Sequence, residues 1–293
     1  MGNAFDEIPG EEDVYQVFAM CFCKVKRTSN DLFMFRDIHD SAMSMDYNLW
    51  IIRSRSRTIL VDTGISPRAG RERSRPLAFD PLDGLSRIGI DLNEIKDIII
   101  THLHYDHAGN IGRFPNARFH IQDAEVAFAT GRCMCDAHHR GPFDVEDVVT
   151  LVRHTYADRV VFHDGDAELF PGITLHAFPG HSAAVQAVRV MTNRGWVVLA
   201  SDASHFYANV LDHRPCIITL DSAKTIESYR RLEHLAGGID RLIPGHDPKV
   251  RAFYPKISVG GIELVALHEQ PAFCDPQALA RTDNYDPAWF DSK

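Results

Sequence analysis

The chain has 293 residues, with 31 Lys and Arg against 40 Asp and Glu, a formal net charge of -9, 45% hydrophobic residues and 24% charged residues. This composition excludes a disordered or collagen-like chain. The acidic balance argues against a nucleic-acid binder held by a basic face. Apolar runs such as residues 196–200 are far too short to span a bilayer. The acidic N-terminus also has no apolar signal core, so the expectation is a cytoplasmic protein with neither a nucleic-acid nor a membrane partner.

In chain order, aliphatic and aromatic residues predict strands over 47–52 and 58–62, joined by a solvated turn that carries Arg53, Arg55 and Arg57. Residues 65–85, rich in arginine and interrupted by proline, read as a surface loop. The end of a short helix at 92–96 leads into a strand over 97–101, and another short strand covers 118–121. Residues 122–158 read as a helical insert, broken at Gly131, Gly141 and Pro142. Strands resume at 159–162, 173–178, 187–191 and 195–200. Asp221 reads as the N-cap of a helix whose apolar face is Ala223, Ile226, Tyr229, Leu232 and Leu235, with Gly237 and Gly238 ending it. A short strand follows at 241–243, and residues 271–293 read as a peripheral polar tail. With no linker, low-complexity run or repeat, a single domain over 1–293 is expected. The six cysteines form C-x-C pairs rather than zinc-ribbon spacings, which points to free thiols.

Sixteen histidines are unusual, and they cluster. The apolar run Ile98-Ile99-Ile100 enters Thr101-His102-Leu103-His104-Tyr105-Asp106-His107, four potential metal ligands within six residues. In an extended segment, positions two apart point to one side, so His102 and His104 can converge on one ion. A helical zinc motif would space its histidines four apart instead. Ala108-Gly109-Asn110 supplies the turn from which Asp106 and His107 can both face inward. A His/Asp cluster just past a buried strand is costly without a partner. Three later segments repeat the context past predicted strands: Pro179-Gly180-His181-Ser182, Ser201-Asp202, and Pro244-Gly245-His246-Asp247.

THLHYDHAGN, PGHS, SDAS and PGHD, together with Asp62 in VDTG, resemble the metallo-β-lactamase superfamily over about residues 45–250. The resemblance implies an α/β architecture, an αββα four-layer sandwich with the metal site at one edge between the sheets. It implies that His102, His104 and His181 hold one divalent ion, that Asp106, His107 and His246 hold a second, and that Asp202 bridges them. Asp62 would orient a ligand histidine. Nitrogen and oxygen donors suit two zinc ions, with iron, manganese or cobalt as alternatives.

Asp202 separates the chain from members with a cysteine at that position, and His104 from diiron members with a glutamate there. The layout is most similar to the N-acyl-homoserine lactonases, in which a tyrosine stands three residues after the bridging aspartate. Here that position is His205, with Phe206 and Tyr207 behind it. His205 is expected to act as an acid or hydrogen-bond donor, or to line the pocket wall, with Tyr207 as another source of a phenol. The implied reaction is opening of a small-molecule lactone or related ester by a hydroxide bridging two metals, with Asp106 steering the proton to the leaving oxygen. Related lactonases suggest a homodimer. A thioesterase similar to glyoxalase II, a cyclic amide or ester hydrolase, and a diiron oxidoreductase remain alternatives. The insert is expected to line the pocket, with Met134 and Phe143 as apolar contacts. Cys133, Cys135, His138 and His139 are a weak motif for a further metal.

Overall fold

The computed structural model of the chain describes residues 13–36 and 38–272. Strand β1 (Gln16–Thr28), one-turn helix α1 (Ser29–Leu32), β2 (Ala42–Arg53) and β3 (Thr58–Val61) open the chain, with β1, β2 and β3 pairing antiparallel in turn. Helices α2 (Pro67–Glu72) and α3 (Pro81–Arg87) follow. Then β4 (Asp97–Ile99), β5 (Arg118–Gln122) and β6 (Val160–His163) extend the sheet in parallel. Between the last two lie α4 (Asp123–Ala129), α5 (Ala137–Arg140) and α6 (Val145–Tyr156), the expected helical insert. A second sheet begins with β7 (Ala167–Phe170), β8 (Ile173–Ala177), β9 (Gln186–Thr192) and β10 (Gly195–Ser201). After α7 (Tyr207–Leu211) and α8 (Ser222–Ala236), β11 (Leu242–Pro244) joins β10 in parallel. Helix α9 (Pro248–Phe253), β12 (Lys256–Val259) and β13 (Ile262–Ala266) complete the described fold. The first sheet runs β12-β13-β1-β2-β3-β4-β5-β6 and the second β11-β10-β9-β8-β7.

The period-two alternation of the strands sorts their side chains into layers. Val17 and Ala19 of β1, with Trp50 and Ile52 of β2, meet Val188, Val190, Val197 and Leu199 of the second sheet in a buried inter-sheet core. The alternate residues Phe18, Met20 and Phe22 pack outward with Leu82, Leu85 and Leu151. On the far side, Val198 and Ala200 pack against Tyr229 and Leu232 of α8. The result is the αββα sandwich.

Two expectations need correction. Residues 65–85 are not a surface loop. Ser66 accepts from the Ala69 amide and Asp80 from the Leu82 amide, and each is followed by proline in the first helical turn. These cap and Pro-N1 pairs start α2 and α3, which bury Ala69, Leu82 and Leu85. Residues 92–96 form a turn rather than a helix end. Strands β1, β7, β12 and β13 were not foreseen, whereas α8 spans the expected range, with Asp221 accepting from the Lys224 amide and Gly237 left-handed at its end. From residue 273 on, the expected tail lies outside the described residues. Cys21, Cys23, Cys133, Cys135 and Cys216 are free thiols.

The insert carries an acid set against its surroundings. Asp147, in the first turn of α6, is buried and its Oδ2 has no hydrogen-bond partner. Burial, reinforced by the neighbouring Asp144 carboxylate, pushes Asp147 up to about 8. An unfolded aspartate ionises near 4, so between pH 4 and 8 the unfolded chain is the more deprotonated form. This residue therefore makes stability fall as pH rises through that window. Asp147→Asn is expected to be more stable than the parent by roughly 1–3 kcal/mol at pH 8, with little difference at pH 4, the positive helix end trimming the effect. Urea melts across this range check it, and parallel curves would refute it.

Candidate metal centre

The site forms where strands of both sheets end on one edge of the sandwich. The chain leaves β4 into His102, His104, Asp106 and His107; β8 leads to His181, β10 to Asp202, and β11 to His246. All seven side chains are buried, from 0% exposed at His102 to 8% at Asp106. The last two loops come together through close backbone approach. A Cβ at Gly245 would lie 2.7 Å from the Ser201 carbonyl oxygen and 2.9 Å from Asp202 Oδ1, so only glycine fits beside His246.

Asp202 divides the donors into two groups. Its Oδ2 lies 3.2 Å from His181 Nε2 and 3.7 Å from His102 Nε2, and His181 Nε2 is 3.1 Å from His104 Nδ1. Its Oδ1 lies 2.9 Å from His246 Nε2 and 3.3 Å from His107 Nε2. Asp106 Oδ2 closes this second group, 3.5 Å from His107 Nε2 and 3.8 Å from His246 Nε2. The ligand atoms of His102, His104, His181 and Asp202 all lie within 4.8 Å of one another, and so do those of Asp106, His107 and His246.

The opposite ring nitrogens are tied down. Asp62 Oδ2 lies 2.7 Å from His107 Nδ1, Asp46 O lies 2.9 Å from His246 Nδ1, and Ile218 O lies 2.7 Å from His181 Nδ1. Thr101 Oγ1 lies 3.1 Å from His102 Nδ1, donates to Asp62 Oδ2 and accepts from Ser201 Oγ. Such contacts fix ring orientation and direct Nε2 inward. The inward atoms His102 Nε2, His107 Nε2, His246 Nε2 and Asp202 Oδ1 are buried yet make no aligned hydrogen bond. Buried polar atoms crowded onto common points without aligned hydrogen bonds are costly unless a cation sits among them. The donor set thus fits divalent ions.

The electrostatics agree. Burial pushes the His102 and His104 imidazoles well below their usual value, which keeps them neutral and able to ligate. Burial also opposes charge on His107, but Asp202, Asp106 and Asp62 together hold its imidazole well above the usual value. Three carboxylates therefore draw positive charge to this one point.

Asp62 itself has a φ of +66°, in the left-handed region that non-glycine residues rarely occupy. The Thr101 amide donates to its Oδ1 at 2.7 Å, which with the His107 and Thr101 side chains over-determines this conformation.

Of the residues expected to assist, His205 lies at the site. Its Nε2 is 3.1 Å from Asp202 Oδ2, and its ring sits 4.7 Å from that of His181 and 5.2 Å from that of His246. Burial pushes its imidazole down to about 4. Tyr207 does not match its expected role. It starts α7, whose geometry turns its side chain away from that of His205 and into the inter-sheet core beside Trp50 and Tyr254. It does not line the cavity.

A cavity of about 440 Å³ opens over the donors, lined by His104, Asp106, His181, Asp202, His205 and His246. Phe143 lines it and packs edge-on against His104 at 4.8 Å, as expected of the insert; Met134 packs on the outer core instead. Cys133 and Cys135 enter no ligand group among the described residues.

Sequence reasoning missed Glu125, fully buried in α4, whose carboxylate accepts from the Leu103 amide at 3.1 Å and the Ala184 amide at 3.2 Å. It thereby ties the His102–His107 loop to the His181 loop. Its signal is an acid in the first turn of a predicted helix, which any solvated helix also carries. Tyr47, Arg73, Arg75 and Tyr105 on the cavity wall were also missed as site residues.

The model of the metallo-beta-lactamase superfamily matches residues 45–246. The chain is 32% identical over 152 residues to the N-acyl homoserine lactonase of Bacillus cereus, covering 52% of this chain and 55% of that protein. It is 30% identical over 171 residues to the N-acyl homoserine lactonase AttM of Azorhizobium caulinodans, covering 55% and 61%. These matches span little more than half the length of those relatives. The fold is shared with the crystal structure of a quorum-quenching N-acyl homoserine lactone lactonase, at a TM-score of 0.69 and 23% identity over 82% of this chain and 95% of that one. It is also shared with AidC, a dizinc quorum-quenching lactonase, at a TM-score of 0.62 and 18% identity over 80% and 88%. With its family model matched over more than half its length and its strands arranged as that fold requires, the chain belongs to the metallo-beta-lactamase superfamily.

Proposed function

We propose that the chain is a hydrolase that opens a lactone or related ester with the help of two divalent ions, zinc foremost. The observation that carries this reading is the Asp202 carboxylate, whose two oxygens face two separate donor groups on the floor of a cavity. Similarity to N-acyl homoserine lactonases supports the substrate class, and similarity to a dizinc lactonase supports the metal. No helix among the described residues is long and apolar enough to cross a membrane.

His102, His104 and His181 would hold one ion and Asp106, His107 and His246 the other, with Asp202 between them. Bound there, the ions supply Lewis acidity and a water that ionises near neutral pH. The chain's own residues do the rest. Asp62 and Thr101 keep His107 and His102 in register. Phe143 packs edge-on against His104 and holds that ring in place on the cavity wall. His205, between His181 and His246, offers a hydrogen bond to the substrate's oxygen. Asp106 stands at the edge of the second group, where its carboxylate can hold the proton bound for the leaving oxygen.

The test is turnover by chelator-stripped and zinc-reconstituted protein on lactones of varied acyl chain, aryl esters, thioesters and cyclic amides. Lactone turnover is expected to fall by on the order of a hundredfold or more on stripping and to return with zinc. Unchanged turnover after stripping sinks the reading, and a preference for thioesters transfers it to a thioesterase.

A further inference from the structure

The protein is acidic overall, yet its cavity is not. Arg27, Arg73, Arg75, His138 and His139 line it, against Asp31 as the one lining carboxylate outside the donor groups. Asp31 is occupied with the Thr28 amide at 3.0 Å. Two bound divalent ions would add further positive charge.

Among the arginines, Arg73 is spent on structure. Its Nη1 and Nη2 each donate at 2.8 Å, to the carbonyls of Gly141 and Phe143, so it clamps the insert over the site, and its guanidinium lies 4.1 Å from the Tyr105 ring centroid. Arg75 differs. It is half-buried, its Nε donates to Tyr105 Oη at 2.8 Å and its Nη1 to the Arg73 carbonyl at 3.0 Å. Those two bonds fix the guanidinium plane and leave Nη2 with no acceptor among the described residues. Arg75 forms no ion pair among them either; the carboxylate that acts on it, Asp106, belongs to the metal donors. A half-buried, oriented cation without a counter-ion is costly in a folded protein. A planar guanidinium with free N–H groups is complementary to a carboxylate.

Its position sets the reach. The Arg75 guanidinium lies 6.0 Å from the Tyr47 ring centroid, and the Tyr47 ring lies 5.0 Å from that of His246. One aromatic ring thus separates Arg75 from the second donor group. A substrate group bound by Arg75 is therefore near the reacting carbonyl, not at the end of a long tail. The apolar wall of Leu32, Ile217, Ile218 and Leu220 remains for the rest of the molecule.

Resting on the hydrolase reading above, we propose that the preferred substrate is an anionic lactone or ester that carries a carboxylate close to its scissile carbonyl, and that Arg75 is the residue that selects it. The test compares the β- and γ-carboxylates of γ-butyrolactone with their primary amides on zinc-loaded protein. In at least one pair, kcat/KM is expected to favour the carboxylate by about 10- to 100-fold, the range of a charge-assisted hydrogen bond. Arg75→Gln should bring that ratio to within about threefold of unity, while Arg75→Lys keeps part of it. A ratio near unity in the parent, or one that survives Arg75→Gln, overturns the proposal.

Thermal shifts of the metal-free protein with the same carboxylates and amides give a second readout, with stabilisation expected from the carboxylate alone and lost in Arg75→Gln. Discrimination in binding without turnover of any lactone would uphold the anion site and overturn the hydrolase reading instead. Equal shifts from carboxylate and amide would count against the anion site whatever the turnover.

Discussion

Asp202→Ala is expected to reduce lactone turnover by on the order of a thousandfold, about 4 kcal/mol of barrier, and to lower the metal content from two ions per chain toward one or none. The reason is positional. Among the described residues Asp202 is the one whose oxygens face both groups, and it lies within 3.7 Å of five histidine nitrogens, those of His102, His107, His181, His205 and His246. Removing it leaves those nitrogens crowded together without the negative charge that offsets two cations. Elemental analysis beside the kinetics separates the two effects. A variant that keeps two ions and near-parent turnover would show that Asp202 does not bridge.

Asp62→Asn is expected to act more selectively. The amide is nearly isosteric, tolerates the left-handed backbone at φ +66°, and can still accept from the Thr101 amide through its oxygen. It then presents an NH2 group to His107 Nδ1 and Thr101 Oγ1, where the carboxylate accepted from both. Facing a donor, the His107 ring favours the tautomer with its proton on Nε2, the nitrogen that must ligate. Metal affinity at the His107 group should fall by roughly 10–100-fold while folding is little changed. Competition with a chromogenic chelator, paired with a thermal melt, reads both. If affinity is unchanged, or lost only in step with folding, Asp62 does not set the His107 tautomer.

The donors were legible in the sequence because they are chemically improbable where they stand. His102, His104, Asp106 and His107 directly follow the buried β4, and His181, Asp202 and His246 follow three further strands. Strand β10 was legible as an unbroken apolar run, Trp196 to Ala200, entered from a glycine and closed by Ser201. What the sequence hid was hidden for physical reasons. Strand β1 is buried on both faces along most of its length and shows no alternation. Helices α2 and α3 are short, so caps rather than periodicity announce them. Glu125 and Arg75 belong to the site only through contacts across 22 and 30 residues, and neither residue type is unusual in its local setting. Tyr207 misled for the opposite reason: it is near His205 in sequence, but the start of α7 points it elsewhere.

The provenance of the seven donors has a mechanical consequence. Four hang from the first sheet and three from the second, so each proposed ion would staple one slab of the sandwich to the other at its rim. Saturation at a thousand times the dissociation constant would contribute about 4 kcal/mol to holding the slabs together. Withdrawing the ions would then silence the protein and also unfasten one edge of it, which links its lifetime to the metal supply around it.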